Sequence, residues 1–254
     1  MTGAQSATAD VGRAARLPPK RKSWLVVPAS KPRAIEEAAH SGADVVVLDL
    51  VELIAERDKG TARSQFRQVL TGAGTTGSEV FAQIDPSCAE SDLAACVWPG
   101  LAGVVISRAE SAEQIAEISA RLDRVEHERD LPAASVQIVA ALETAKGNHA
   151  AYDILCASHR VCAATLGRAD LVMDLRPEPS GEIHLMPYLM QRLIILAGTV
   201  GVTPLGAWWR APDRGLLATP EHTYEAAYRG RAIGLKGAMC LRADQIEALN
   251  RAFA

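Results

Sequence analysis

A chain of 254 residues is long enough for one large α/β domain or two small ones. Its hydrophobic fraction of 48% is ample for a full core and excludes a disordered protein. The formal net charge of −3, from 27 basic and 30 acidic side chains, gives no general argument for nucleic-acid or membrane binding. No apolar run approaches the ~20 residues of a membrane span, and the N-terminus lacks the apolar core of a signal peptide. The cysteines Cys88, Cys96, Cys156, Cys162 and Cys240 are scattered, with no CxxC pair. That pattern speaks against zinc and against a disulfide framework, and it suits a reducing cytoplasm.

Residues 1–22 are small, polar and basic, ending in Pro18-Pro19-Lys20-Arg21-Lys22, and read as a mobile arm before a single domain over 23–254. A strand-and-helix rhythm then begins. Trp24-Leu25-Val26-Val27-Pro28 reads as the first strand. A helix over 32–40 follows, with Pro32 early in it and Gly42 after its end. The run 44–50 is the clearest buried strand, followed by a helix over 57–70. A strand over 79–84 leads through Asp85-Pro86 to a helix containing Leu93 and Val97. Next come a strand over 103–107 and an amphipathic helix over 111–129, which Ser111 and Gln114 open as a capping box. Strands over 136–142 and 161–166 flank a helical pattern that runs to about Ser158. A polar loop over 176–182 precedes a strongly apolar helix over 187–200. A weak strand over 203–208, a helix over 221–233, a short strand over 237–241 and a helix over 243–252 complete the chain. Eight strands alternating with eight helices in about 230 residues predict a (βα)₈ TIM barrel, with a doubly wound open sheet as the alternative. No GxGxxG or GxxxxGK[ST] motif opens a helix.

In a barrel the active site lies at the carboxyl ends of the strands. Here those ends carry Ser30, then Asp49 and Glu52, then Gln83 and Asp85, then Arg108, Glu143 and Asp170. Glu143 and Asp170 stand just past two neighbouring strands. Two carboxylates converging there make a site for a hard cation such as Mg²⁺; the alternative is that both are helix-capping or first-turn acids. No histidine sits at a strand end and no lysine in mid-strand, so neither a Ser-His-Asp order nor a Schiff-base nucleophile is present.

At this point the residues resemble a family. Ser23-Trp24-Leu25-Val26-Val27-Pro28-Ala29-Ser30-Lys31-Pro32, then 41–50, Arg108-Ala109-Glu110-Ser111, Leu142-Glu143-Thr144-Ala145-Lys146-Gly147 and Gly167-Arg168-Ala169-Asp170-Leu171 come in matching order and spacing. They are similar to the HpcH/HpaI aldolase and citrate lyase β-subunit family, most closely its citrate-lyase-β-like branch. The resemblance covers nearly all of 23–254. It implies a (βα)₈ barrel, an oligomer, and Mg²⁺- or Mn²⁺-assisted cleavage or formation of a carbon–carbon bond in a β-hydroxy or keto acid, often a coenzyme A thioester. It also implies Glu143 and Asp170 as the metal ligands.

The chain departs from the family's pattern at several positions. Where active members carry two acids after the second strand, this chain has Val51 and Glu52. The arginine that ends the family's third strand is Gln83 here, and a neutral amide does not replace a bidentate guanidinium. Asp85 beside it reverses the expected charge. The family's Pro-Lys is Ser107-Arg108, and the Glu before the second metal ligand is Ala169, with Arg168 new. The chain ends at Ala254, where many relatives continue into a lid segment.

The resemblance and its departures together place Glu52, Gln83 and Arg108 as catalytic residues and Ser30, Asp49 and Arg168 as substrate-binding residues. Trp208 and Trp209, near the end of the seventh strand, are candidates to line the pocket, with buried packing of at least one as the favoured alternative. Three readings follow. The first is a divergent metal-dependent lyase or aldolase, in which Arg108 or Arg168 supplies the lost charge. The second is a catalytically impaired binding or assembly module. The third is a thioester hydrolase at the same metal.

Overall fold

The computed structural model describes residues 21–167, 171, 174–175, 179–207 and 219–254. Eight parallel strands close into a barrel in sequence order. They are β1 (Ser23–Pro28), β2 (Val45–Asp49), β3 (Glu79–Ile84), β4 (Leu101–Ile106), β5 (Gln137–Leu142), β6 (Val161–Leu166), β7 (Thr203–Ala207) and β8 (Gly237–Cys240). Closure is made by β1 against β8, with Ser23 opposite Ala238 and Leu25 opposite Cys240, which excludes the open sheet. The outer helices are α1 (Pro32–Ala39), α2 (Glu56–Ala73), α3 (Ala89–Cys96), α4 (Ala112–Glu128), α5 (Ala145–His149), α6 (Ala151–Cys156), α7 (Pro179–Val200), α8 (Pro220–Ile233) and α9 (Ile246–Ala252).

Side chains alternate across each strand, so every strand feeds two cores. Trp24, Val47, Phe81, Val105, Val139 and Leu205 fill the barrel interior. Leu25, Leu48, Ile106 and Leu166 face outward against helical residues such as Phe66, Ile115 and Leu193. Burial on both faces explains why the strands read as continuous apolar runs.

The departures from the sequence reading have local causes. β4 begins at Leu101, two positions before the expected start at Gly103. Gly103 is not a boundary: a Cβ there would lie 2.3 Å from Phe81 Cε1, so glycine makes room in mid-strand for the ring. The helix expected from Pro187 starts at Pro179, within the expected 176–182 loop, and Pro187 sits inside it. The helical pattern after β5 breaks at Ala150, where ψ is 9°, into α5 and α6.

Residues 1–20 of the expected arm lie outside the described residues. Arg21, the last but one of that arm, is anchored at the N-terminal end of the barrel. Its guanidinium donates to Glu79 Oε1 at 2.6 Å and Gln137 Oε1 at 2.7 Å, and lies 5.0 Å from the Phe81 ring centroid. At the same end Arg160 is buried with Glu126 at 2.5 Å. Ion pairs of this kind close the face that serves stability in a barrel, leaving the carboxyl-end face for chemistry.

Candidate active site

β5 carries Ala141 in the interior core. Two residues on, Glu143 faces the same way and is 5% exposed. Its Oε2 accepts the backbone N–H of Arg108 at 2.8 Å. That N–H is aimed by a left-handed backbone at Arg108, φ 45°, a conformation that costs a non-glycine residue free energy. Helix α5 is capped by Thr144, whose hydroxyl accepts from the Gly147 N–H at 3.0 Å. Capping therefore falls to Thr144, and the Glu143 carboxylate stands at the mouth of the barrel as a buried hard oxygen donor. Such a donor suits Mg²⁺, which is held through one or two carboxylates with water and substrate oxygens completing its shell. Asp170 and Arg168, together with Trp208 and Trp209, lie outside the described residues.

Gly167 ends β6 directly against Glu143. A Cβ at position 167 would lie 2.4 Å from Glu143 Cγ and 3.0 Å from its Cδ. The Gly167→Ala variant should therefore displace the Glu143 carboxylate. It is expected to lose ~1–3 kcal/mol of stability, the usual cost of overpacking, and to bind Mg²⁺ more weakly. Denaturant unfolding and calorimetry check the two effects; a variant unchanged in both would show that Glu143 is not held by this contact.

Asp49 ends β2, fully buried. Its carboxylate accepts the backbone N–H groups of Val51 at 3.0 Å, Glu52 at 3.1 Å and Leu53 at 2.5 Å. Burial pushes its carboxyl above the ordinary range, against the opposing pull of those three donors. The sequence reading made Asp49 a substrate contact. Its geometry is that of an anchor, organising the loop on which Glu52 stands exposed. Ser30 is half-buried in the turn after β1.

Gln83, level with Asp49 in the sheet, is 8% exposed and donates from Nε2 to Ser107 Oγ at 2.9 Å. Asp85 caps the short 3₁₀ turn Pro86–Cys88 by accepting from the Ser87 N–H at 2.9 Å. Burial raises the Asp85 carboxyl, but the Ser87 donors, Arg108 and Lys59 outweigh it and hold it below the ordinary range.

Three rim cations are each engaged by an acid. Arg108 Nη2 lies 3.8 Å from Asp85 Oδ2, Lys59 Nζ 2.8 Å from Glu56 Oε2, and Lys146 Nζ 3.5 Å from Glu110 Oε2. Lys59 escaped the sequence reading, which placed it inside a helix with no link to the site. It interacts electrostatically with both Asp49 and Asp85, and its only signal in the sequence is its place in the first turn after the β2 loop. Ser107 and Gly167 were passed over as well, because neither residue type announces chemistry. His149 is exposed, in keeping with a surface role.

Comparison with known proteins supplies the remaining findings. The model of the HpcH/HpaI aldolase/citrate lyase family matches residues 22–243. The citrate lyase subunit beta of Leuconostoc mesenteroides subsp. cremoris is 23% identical over 237 residues, covering 92% of this chain and 77% of that protein. The (3S)-malyl-CoA thioesterase of Cereibacter sphaeroides is 25% identical over 237 residues, covering 91% and 76%. The structure of the protein CitE from Mycobacterium tuberculosis in complex with magnesium, acetoacetate and coenzyme A superposes with a TM-score of 0.70 at 23% identity. It covers 92% of this chain and 81% of that one.

Proposed function

Since the chain belongs to the HpcH/HpaI aldolase/citrate lyase family, we propose that it is a divergent Mg²⁺-dependent carbon–carbon lyase acting on a β-hydroxy or keto acid or its coenzyme A thioester. The observation that carries this reading is the buried Glu143 carboxylate, on the inner face at the barrel mouth, beside Thr144, whose hydroxyl caps α5. Glu143 and Asp170 would hold the ion. When bound, Mg²⁺ would supply Lewis-acid chemistry to substrate oxygens at this mouth. The chain's own residues do the rest. Arg108 fixes the Glu143 carboxylate through its backbone and offers its side chain to the substrate from the rim. Gln83 presents a neutral donor from the floor. Glu52, on the loop that Asp49 organises, stands as the proton-transfer group. Ser30 and Arg168 complete the substrate contacts.

Similarity to a malyl-CoA thioesterase favours hydrolysis of a thioester at the same site as the second reading. The two separate in one screen of acyl-CoA thioesters and small keto acids with Mg²⁺. A lyase yields two carbon fragments with the thioester intact, whereas a hydrolase releases free thiol. Neither product across the panel would leave only the reading as a binding module.

We also propose a homo-oligomer working in a reducing cytoplasm. All five cysteines are free thiols, and no helix among the described residues is long and apolar enough to cross a membrane. Helix α7 buries Leu189 and Leu193 inside the monomer, yet leaves Tyr188 61% and Ile195 67% exposed, seven positions apart on one face. Light scattering should report a species larger than the monomer; monomer alone at working concentrations removes this claim.

A further inference from the structure

The barrel floor beneath Glu143 contains a polar group with no partner. Thr165 is 2% exposed, and its Oγ1 makes no hydrogen bond. Its neighbours in register, Ala141 on β5 and Leu205 on β7, both belong to the interior core, so the Thr165 side chain points into the barrel. Toward the mouth the next inward position on its own strand is Gly167, against which the Glu143 side chain lies, and the residue beside Thr165 is Ala141. A buried hydroxyl is costly unless it is satisfied, and an interior otherwise lined by apolar residues has no structural need for one. On β3, Gln83 also faces inward, being level with Val105 of the interior core, and its side chain donates to the neutral hydroxyl of Ser107. On the described rim, Lys59, Arg108 and Lys146 are each paired with an acid.

Taking the proposed Mg²⁺ site as given, we infer that Thr165, with Gln83 and Ser107, forms a neutral hydrogen-bonding floor that selects substrates whose far end is an uncharged polar group, a hydroxyl or a carbonyl. A carboxylate at that end would meet amide and hydroxyl donors and, among the described floor residues Thr165, Gln83 and Ser107, no cation, and desolvating it there is unfavourable. A hydroxyl or carbonyl would satisfy Thr165 Oγ1 at no such cost.

The test titrates pyruvate, hydroxypyruvate and oxaloacetate into the Mg²⁺-loaded full chain by calorimetry. These share a 2-oxo acid and differ at the far end in a methyl, a hydroxyl and a carboxylate. Hydroxypyruvate should bind about tenfold more tightly than pyruvate, the effect of one satisfied hydrogen bond, and oxaloacetate no more tightly than pyruvate. Thr165→Val, nearly isosteric, should reduce hydroxypyruvate to the affinity of pyruvate while leaving pyruvate unchanged. Thr165→Ser should retain the preference, which separates loss of the hydroxyl from damage to the fold. Pyruvate binding with no preference for hydroxypyruvate, or a preference for oxaloacetate, overturns this inference and leaves the metal site standing. Failure of all three acids to bind overturns both.

Discussion

Replacing Gln83 by Arg together with Asp85 by Asn should raise Mg²⁺-dependent cleavage of citryl-CoA or malyl-CoA by ~10²–10³ over the unmodified chain, the effect of one donor aimed at developing charge. At the end of β3 the chain offers a neutral amide that is 8% exposed and committed to Ser107. It cannot pair with a carboxylate in the bidentate manner of a guanidinium, so this strand end lends no positive charge to the substrate. The second substitution is needed because Asp85 already holds Arg108 at 3.8 Å and would capture the new arginine as well. Asn at position 85 keeps a side-chain oxygen for the Ser87 N–H, so the cap of the following turn survives. Release of the acyl-CoA product is the readout. Robust cleavage of either thioester by the unmodified chain would show that the inference from Gln83 is mistaken.

Glu143→Gln should weaken Mg²⁺ binding by more than the ~10–100-fold that loss of an outer-shell partner usually costs, because here a ligating charge itself is removed. The amide keeps the size of the side chain and an oxygen for the Arg108 N–H, so the fold should be preserved and circular dichroism should match that of the unmodified chain. Lyase or hydrolase activity should fall with metal affinity. Unchanged affinity in a well-folded variant would place the metal elsewhere.

The barrel was legible because each strand is buried on both faces, and runs such as Val45-Val46-Val47-Leu48 leave no other reading. What misled was punctuation. Gly103 looked like a strand end but leaves space for Phe81, and Pro187 looked like a helix start but lies within a helix that another proline opens. Glu143 was legible as a site residue because strand alternation fixes its direction, and Thr144 beside it is the residue type that caps helices. The remaining features of the site depend on distances no one-dimensional pattern encodes. Asp49 turns back to bind the amides of its own loop, Arg108 adopts a left-handed backbone where its N–H reaches Glu143, and the charge of Lys59 on α2 favours the ionised forms of Asp49 and Asp85. Asp85 read as a reversed charge beside Gln83, and it serves first to cap a turn.

The central claim is that this barrel mouth holds a divalent ion on Glu143. It is tested most directly by calorimetric titration of Mg²⁺ into the unmodified full chain, with and without pyruvate. The account predicts one saturable site per chain, tightened by pyruvate because substrate oxygens complete the shell, and a heat that disappears in Glu143→Gln. No saturable heat in the unmodified chain, or a heat that Glu143→Gln leaves intact, would contradict it.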